Sequence, residues 1–328
     1  MTEAKQLARE KTKFGIGVIT HRRADMLRAL LLSLADMALP DDAECQILIA
    51  ENDDALSIEP LISELAETLP FEVKYRLETE RGIPFARNCV LDMAIENDCD
   101  FLTFVDDDET VLPDWLVNLY TAMSKRELDL VGGPIIYDPP AGIDLTWQQA
   151  AVLYELRRRA AKAYALREAE IGNPREAEFG IYTNNWMVRI AACTRLGVRF
   201  DEALRYSGGS DTKFYADFSA AGGRTGWAPD ARVREVWPLH RLTFKYYFRR
   251  CRDQETARRI RTAKEKSKIA ALVMLGYGIL RALVFTILAP FTRLRSGAVA
   301  ARAMGKGVGR VKAAYGRNSD LYHPDKNG

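Results

Sequence analysis

The chain has 328 residues, of which 48% are hydrophobic and 28% are charged, and its formal net charge is +2. This composition excludes a disordered chain, because enough apolar side chains are present to form a core. The small net charge excludes a general polyanion binder, although basic residues are concentrated in the last third. Five cysteines without Cys-x-x-Cys spacing disfavour a zinc site and predict buried thiols. The polar first 13 residues lack the apolar core of a signal peptide, so we expect the bulk of the protein to stay in the cytoplasm.

Short apolar runs alternate with amphipathic segments through the first third of the chain. The periodicities predict strands over 14–20, 46–50, 71–77 and 101–105, with helices over 24–37, 58–69 and 84–96 between them. This alternation indicates βαβ units and a parallel sheet, in which ligands bind at the carboxyl ends of the strands. We therefore expect functional side chains at Thr20, at 51–53 and at 106–108.

The elements beyond residue 113 are less regular. The pattern predicts a helix after Pro113, a strand over 128–137, a long charged helix over 148–169, a strand over 179–188, a helix over 210–221 and short strands within 224–237. These elements extend the predicted α/β domain to residue 240. We predict three regions in all, a polar tail over 1–12, a domain over 13–240 and a basic helical region over 241–328.

The strongest signal for chemistry is the acidic cluster 106–109, Asp-Asp-Asp-Glu, which directly follows the predicted strand over 101–105. Clustered carboxylates at a strand end can bind a hard divalent cation through oxygen ligands, and Mg²⁺ or Mn²⁺ bound in this way keeps positions open for phosphate oxygens. A solvated acidic loop accounts for the same residues, so the cluster by itself leaves both interpretations open.

Five stretches of the sequence follow one another in the order of a known family. They are residues 17–22 (GVITHR), 49–53 (IAEND), 80–88 (ERGIPFARN), 103–115 (TFVDDDETVLPDW) and 207–211 (SGGSD). In order, they resemble the opening strand with its turn onto the nucleotide, the second strand, the Gly-x-x-x-Ala-Arg-Asn stretch, the Asp-x-Asp segment and the Gly-Gly-Glu-Asp segment of glycosyltransferase family 2. The resemblance spans residues 14–240. Within the family, the sequence is similar to bacterial exopolysaccharide enzymes of the succinoglycan type.

The resemblance implies a GT-A nucleotide-diphospho-sugar transferase fold, in which helices flank a Rossmann-like mixed sheet, and inverting transfer of a hexosyl group. Asp106 and Asp108 would bind Mg²⁺ or Mn²⁺, and the metal would compensate the negative charge that develops on the nucleoside diphosphate leaving group. Asp107 lies between them, and the alternating geometry of a strand leaves its direction open.

The residues implied to contact the nucleotide-sugar donor lie at the strand ends and near the third helix. They are Thr20, Arg22, Glu51, Asp53, Arg81, Arg87, Asp106 and Asp107. Guanidinium groups pair well with phosphate oxygens, which favours Arg81 and Arg87 as partners of the pyrophosphate, although a loop-bracing role accounts equally well for Arg87. His240 stands where GT-A enzymes often have a late third metal ligand, and a structural role is the alternative.

Asp211 is the expected catalytic base, because it matches the aspartate of the Gly-Gly-Glu-Asp segment. Direct inversion needs a group that accepts the proton of the acceptor hydroxyl. The sequence departs from the family pattern at Ser210, where glutamate is usual, and Asp201 and Asp217 are nearby acids. An acidic residue that stabilises a helix N-terminus is the alternative interpretation of Asp211.

The apolar segment Ile269–Phe291 contains a single charge, Arg281. It is long enough to cross a bilayer, but the central arginine and the basic residues on both sides favour a re-entrant or interfacial helix, and a buried helix is the alternative. The basic residues after it recur at helical spacing, which favours an anionic lipid surface over nucleic acid. We therefore expect the enzyme at the cytoplasmic face of the inner membrane, held peripherally or by one re-entrant or transmembrane segment.

Taken together, the sequence predicts a metal-dependent inverting glycosyltransferase that uses a UDP-sugar and acts on a saccharide or lipid-linked saccharide in cell-surface or exopolysaccharide synthesis. A Gln-x-x-Arg-Trp stretch, which processive synthases of the family carry, is missing, and this favours transfer of one sugar per encounter. The alternative is a metal-dependent nucleotidyltransferase acting on a sugar phosphate, which also places paired aspartates after a strand. A non-catalytic membrane scaffold is the third hypothesis.

Overall fold

The computed structural model describes residues 11–205, 208–262, 268–288, 291 and 295–316. The chain divides into two compact units. Unit 1 contains the described residues of Met1–Pro134, Arg167–Asp201 and Asp211–Val233, and unit 2 those of Ile135–Leu166, Glu202–Ser210 and Arg234–Gly328. Parts of four predicted features lie outside the described residues: 1–10 of the polar tail, Ser207 of the SGGSD stretch, 289–290 of the apolar segment, and 263–267, 292–294 and 317–328 of the basic region. The domain boundaries expected at 12 and 240 stay predictions.

Unit 1 is built on a mixed seven-stranded sheet. The ten strands found among the described residues are β1 (Thr12–Thr20), β2 (Ala43–Glu51), β3 (Glu72–Leu77), β4 (Phe101–Val105), β5 (Glu109–Val111), β6 (Leu130–Gly132), β7 (Ile135–Asp138), β8 (Asn185–Arg189), β9 (Thr225–Trp227) and β10 (Val233–Val236). The order in the large sheet is β3-β2-β1-β4-β8-β6-β9. The first four strands of this order are parallel, β8 is antiparallel to β4 and β6, and β9 is parallel to β6. This is the mixed α/β sheet that the resemblance implied.

Ten α-helices accompany the strands in the described part of the chain. They are α1 (Ala24–Ala35), α2 (Glu59–Leu65), α3 (Ile83–Glu96), α4 (Trp115–Lys125), α5 (Trp147–Glu168), α6 (Ile190–Leu196), α7 (Ser210–Ala220), α8 (Phe244–Thr262), α9 (Lys268–Ile287) and α10 (Arg295–Ala314). The leucines of α1 at positions 27, 30, 31 and 34 are fully buried, as their helical spacing predicts. Helix α3 lies close to β1, because a Cβ at Gly17 would be only 2.6 Å from Val90 Cγ1.

The first four predicted strands and three predicted helices are confirmed, and two later predictions need correction. The strand predicted over 128–137 is two strands, β6 and β7, separated at Gly133 and Pro134. At Gly133 a Cβ would lie 2.1 Å from Ala231 O, and Pro134 has no N–H to continue a ladder, so the pairing breaks there. The strand predicted over 179–188 begins only at Asn185. The five cysteines are buried free thiols, as expected.

Unit 2 contains the adjacent strands β7 and β10 and the helices α8, α9 and α10. An apolar cluster forms its core, and its fully buried members are Val152, Trp237, Leu242 and Ala298. Helix α10 contacts α8 through glycines, since a Cβ at Gly305 would lie 2.5 Å from Phe248 O and one at Gly309 would lie 2.4 Å from Arg252 O. The glycine-rich stretch 305–309 therefore allows close helix packing.

One helix in the described part of the chain, α9, is long and apolar enough to cross a membrane by length and composition. Its buried residues are the small ones, Ala271, Gly278 and Ala282. A Cβ at Gly278 would lie 3.0 Å from Ala303 O, and a Cβ at Gly307 would lie 3.3 Å from Leu275 Cα, so α9 and α10 run side by side in opposite directions.

Candidate functional site

The carboxyl ends of β1, β2 and β4 bring Thr20, Glu51, Asp53 and the acidic cluster to one edge of the sheet, called the carboxyl edge below. Thr20 pairs with Glu51 at the ends of β1 and β2, and Asn52 N donates to Thr20 O at 2.9 Å. Thr20 Oγ1 donates to Asp107 Oδ2 at 2.8 Å, which joins the end of β1 to the loop after β4. The parallel order of these strands thus produces the convergence that the sequence predicted.

Asp107 points into unit 1 and braces the carboxyl edge. Its carboxylate is buried, accepts the Thr20 hydroxyl through one oxygen and accepts Arg23 NH1 at 2.9 Å through the other. Burial raises the pKa of Asp107, against the opposing effects of Arg23 and the Thr20 hydrogen bond. The direction of Asp107, which the sequence left open, is inward, and a donor contact of this residue stays a prediction.

Asp106 and Asp108 lie on the more exposed side of the acidic cluster, whereas Asp107 and Glu109 are buried. A tight turn fixes this alternation: Glu109 N donates to Asp106 O at 3.1 Å, and Asp106 N donates to Glu109 Oε2 at 3.1 Å. The carboxylate of Asp108 is 17% exposed and lies 3.7 Å from Arg23 NH1. Two partly exposed aspartates give an oxygen donor set that suits Mg²⁺ or Mn²⁺, whose other positions water and phosphate oxygens would fill.

No group of three His, Cys, Asp or Glu side chains converges as a complete metal-ligand set within the residues that the structure describes. His240 belongs to unit 2, where it is exposed, its carbonyl accepts Thr243 Oγ1 at 3.3 Å, and its ring contacts Tyr246 edge-on. Metal binding by Asp106, Asp108 and His240 stays a prediction.

Two arginines converge on Asp53 at the end of β2. Arg22 Nε donates to Asp53 Oδ2 at 2.6 Å and Arg22 NH2 to Oδ1 at 2.9 Å, while Arg81 NH2 donates to Oδ1 at 2.8 Å. The hydrogen bonds from Arg22 hold the pKa of Asp53 well below its usual range. Arg22 takes a left-handed backbone conformation, φ 53°, which is uncommon for a residue with a side chain. The result is a pair of guanidinium groups at the carboxyl edge, where a diphosphate could bind.

Glu51 is fully buried and holds the loop that follows β2. Its carboxylate accepts Ser57 Oγ, Ser57 N at 2.7 Å and Ile58 N at 3.2 Å. The neighbouring Asn52 links this loop to Gly82, whose N–H donates to Asn52 Oδ1 at 2.9 Å. Glu51 thus has a structural role in this geometry, and its predicted donor contact remains a prediction.

Arg87 lies on the buried side of α3. Its guanidinium carbon is 5.6 Å from the centre of the Phe200 ring. The next residue, Asn88, donates to Phe200 O and accepts Phe200 N, both at 3.0 Å. These contacts match the bracing alternative that the sequence left open for Arg87, and contact with the pyrophosphate stays a prediction.

Asp211 stands in the first turn of α7, which begins at Ser210 directly after two glycines. Gly208 and Gly209 have φ values of 71° and 84°, which favour glycine. Asp211 Oδ1 accepts Thr212 N at 2.7 Å. The two alternative acids are held by Lys213, whose Nζ is 2.6 Å from Asp217 and 3.9 Å from Asp201.

Two residues of the site were missed in the sequence, and both stand inside stretches that drew attention. Arg23 follows Arg22 and binds the acidic cluster, and Asn52 stands between Glu51 and Asp53 and orders the loop of Arg81. Their position in these stretches indicated that they lie near the site. Their hydrogen-bond partners could not be predicted, because these depend on the turn geometry at each strand end.

Known proteins share sequence with this chain over much of its length. The family model described as "Glycosyl transferase family 2" matches residues 16–190. The chain is 33% identical over 258 residues to the succinoglycan biosynthesis protein ExoM of Rhizobium meliloti (strain 1021), covering 78% of this chain and 77% of that protein.

Solved structures of S. aureus TarS share the fold of this chain. One matches with a TM-score of 0.51 and 13% identity over 90% of this chain, which spans 55% of that TarS chain. TarS 1-349 in complex with UDP matches with a TM-score of 0.51 and 14% identity, over 93% of this chain and 92% of that one. TarS 1-349 in complex with UDP-GlcNAc matches with a TM-score of 0.50, 13% identity and 93% coverage of both chains.

Proposed function

The chain belongs to glycosyl transferase family 2 and is a glycosyltransferase, and from this premise we propose that it is a metal-dependent inverting enzyme of exopolysaccharide synthesis. In this proposal the donor is a UDP-sugar and the acceptor a saccharide, carried on a lipid at the cytoplasmic face of the inner membrane. The observation that carries the proposal is the meeting of Thr20, the Asp53–arginine cluster and the acidic cluster at one carboxyl edge.

Asp106 and Asp108 would hold Mg²⁺ or Mn²⁺, and the bound cation would neutralise charge on the departing diphosphate. Asp107, fixed by Thr20 and Arg23, keeps the loop in place so that its two neighbours remain turned toward the ligand. Arg22 and Arg81 add positive charge at the same edge, and their planar groups can exchange the carboxylate of Asp53 for phosphate oxygens.

Asp211 is the proposed base. Its carboxylate would accept the proton of the acceptor hydroxyl as that oxygen attacks the anomeric carbon from the side opposite the diphosphate. Asp201 and Asp217 are weaker candidates, because Lys213 lies between them and pairs with both. The donor preference and the acceptor class rest on the relatives: TarS 1-349 was solved with UDP and UDP-GlcNAc, and ExoM is a succinoglycan biosynthesis protein.

Donor binding and transfer can be separated with two substitutions. The purified chain is titrated with a panel of UDP- and GDP-sugars in the presence and absence of Mn²⁺, and transfer is followed on a lipid-linked saccharide extract. Asp108→Asn is expected to lose the metal-dependent part of donor binding. Asp211→Asn is expected to keep donor binding and lose transfer by at least about a hundredfold, the usual contribution of a general base.

Asp230→Asn is the matched control, because the Asp230 side chain is 72% exposed and unit 1 contains it as well. It should leave both measurements unchanged. If no nucleotide sugar bound in a metal-dependent way, the proposed donor and metal roles would be wrong. Normal transfer by Asp211→Asn would place the base elsewhere.

A further inference from the structure

Helix α9 has one packed face and one exposed apolar face. The packed face carries Ala271, Gly278 and Ala282. The most exposed large side chains follow the opposite face at spacings of four and seven: Ile269 is 76%, Val273 64%, Leu280 59% and Ile287 69% exposed. An apolar face that runs the whole length of a 20-residue helix is typical of an interaction with a lipid phase or another apolar surface.

Helix α10 lies beside α9 and carries basic side chains that are level with the middle of α9. Gly307 packs next to Leu275 and Ala303 next to Gly278. Arg302 and Lys306 therefore stand level with the central turns of α9.

Ion pairs attach α10 to the rest of unit 2. Arg310 Nε is 3.0 Å from Glu255 Oε1, Lys312 Nζ is 3.9 Å from Asp253 Oδ1, and Arg302 NH1 is 3.9 Å from Glu155 Oε1. Both Glu155 and Glu255 are nearly fully buried. Since breaking a buried ion pair is strongly unfavourable, these pairs hold α10 to α8. The close contacts at Gly278 and Gly307 hold α9 to α10.

This packing decides how α9 can meet a membrane. If α9 crossed a bilayer, α10 would enter the hydrocarbon beside it with Arg302, Lys306 and Arg310, and the charged helix α8 would follow. Charged side chains at that depth are costly and rare. We propose that α9 lies in the plane of the membrane surface and buries its exposed apolar face among the lipid chains, so that unit 2 docks on one leaflet without crossing it. This proposal deepens the membrane association in the proposed function and rests on it.

The charges around α9 favour an anionic lipid surface as the occupant. Helix α9 has no acidic residue, and its Arg281 is exposed on the flank of the apolar face, 5.7 Å from the Tyr277 ring and 5.5 Å from the Phe285 ring. In the plane of the surface, such a side chain reaches the headgroups while its stem stays with the lipid chains. The acidic residues of α8, Asp253 and Glu255, are buried and paired, so the exposed charge of α8 is positive. Interfacial helices that combine an apolar face with flanking cations bind anionic lipid.

The depth of α9 can be measured directly. Cysteine is introduced in turn at Ile269, Val273, Leu280 and Ile287 of the full chain and labelled with an environment-sensitive fluorophore. The five native cysteines are buried, and the unsubstituted chain gives the background labelling. Vesicles contain phosphatidylglycerol and phosphatidylcholine with spin labels either at the headgroup or near the chain end. An in-plane helix is expected to give the same shallow depth at all four positions.

A crossing helix would give a deep position at Leu280 and shallow ones at Ile269 and Ile287, and this profile would overturn the proposal. The proposal would also be overturned if the labels stayed in water and the chain instead formed a dimer or bound another protein. Leu280→Gln should weaken vesicle binding about tenfold, because one buried leucine is removed from the lipid. Leu166→Gln is the matched control, since Leu166 is 52% exposed in the same unit but lies outside α9.

UDP-sugar binding is measured on the same preparations, so that failure of the donor assignment is distinguished from failure of the docking. If the chain does not bind a UDP-sugar but all four labels lie at the same shallow depth, the donor assignment is wrong and the docking proposal is supported. If the donor binds but the four labels give the depth profile of a crossing helix, only the docking proposal is wrong.

Discussion

The carboxyl edge of unit 1 and the helices of unit 2 both contain a buried carboxylate surrounded by arginines, but the arginines differ in their access to solvent. Asp53 binds Arg22 and Arg81, whose side chains are 65% and 28% exposed. Glu255 binds Arg258, Arg259 and Arg310, and the last two are only 19% and 18% exposed. An exposed guanidinium can turn to an incoming diphosphate, whereas an enclosed one is committed to the fold. Arg258 is 53% exposed, but Arg259 and Arg310 are more enclosed than either arginine at Asp53. Charge alone therefore does not identify a ligand site.

The largest expected effect comes from removing the buried carboxylate of Glu255 in unit 2. Glu255→Ala removes the buried carboxylate that Arg259 and Arg310 share, and breaking such a buried pair costs about 3–5 kcal/mol of unfolding free energy. Urea denaturation monitored by circular dichroism measures the change. Asp144→Ala, at an exposed position of the same unit, is the control and should stay within about 0.5 kcal/mol of the parent. A small effect at Glu255 would mean that its ion pairs do not stabilise the helices.

The same carboxylate predicts a pH window for stability. Burial opposes ionisation, but hydrogen bonds from Arg258, Arg310 and Arg259 prevail and lower the pKa of Glu255 from 4.5 to about 2. A lowered pKa in the folded state stabilises the protein above the unfolded-state value and loses this contribution as pH falls toward the folded-state value. Thermal unfolding of the parent should therefore shift to lower temperature between pH 4.5 and about 2, and Glu255→Gln should show a smaller shift in this window.

Helix packing in unit 2 can be tested with two glycines. Gly309→Ala places a Cβ 2.4 Å from Arg252 O and is expected to destabilise the protein by about 1–3 kcal/mol, the usual effect of overpacking. Gly276→Ala is the matched change on α9, where no atom lies within 4 Å of the new Cβ. It should raise stability by up to about 1 kcal/mol through helix propensity. Equal effects at the two positions would contradict the close contact of α8 and α10.

The smallest expected effect sharpens the comparison at the carboxyl edge. Asp53→Asn removes the charge that orients Arg22 and Arg81, and donor affinity should fall about tenfold, equivalent to about 1.4 kcal/mol. Asp54→Asn is the matched neighbour, because its side chain is 75% exposed although it also pairs with Arg81, at 2.6 Å, and with Arg22, at 4.0 Å. Isothermal titration with a UDP-sugar distinguishes them. Equal losses would show that surface charge, rather than orientation by Asp53, controls donor binding.

Much of the fold and part of the site followed from the sequence, and the limits have physical causes. The strands ending at Thr20, Glu51 and Val105 were predictable because buried parallel strands are short apolar runs with polar residues at their ends. The inward direction of Asp107 was not, because the turn at Glu109 sets it.

The later strands show a second limit. Periodicity indicates burial but not the direction of a partner strand, so the antiparallel insertion of β8 between β4 and β6 is known only from the structure. Arg22, Arg23 and Arg81 looked alike in the sequence, and the left-handed backbone at Arg22 determines which carboxylate Arg22 reaches. A backbone conformation of this kind leaves no compositional signal when glycine is absent.

The antiparallel pairing of β6 and β8 also has a consequence for evolution. Gly132 and Trp186 are partners in this ladder, so the chain between them leaves and re-enters the sheet at neighbouring points. The entropy of closing a loop grows only slowly with its length, and the cost of lengthening this excursion is correspondingly small. An excursion that leaves and re-enters the ladder at neighbouring points can therefore vary in length among related chains while β1, β2 and β4 keep their register.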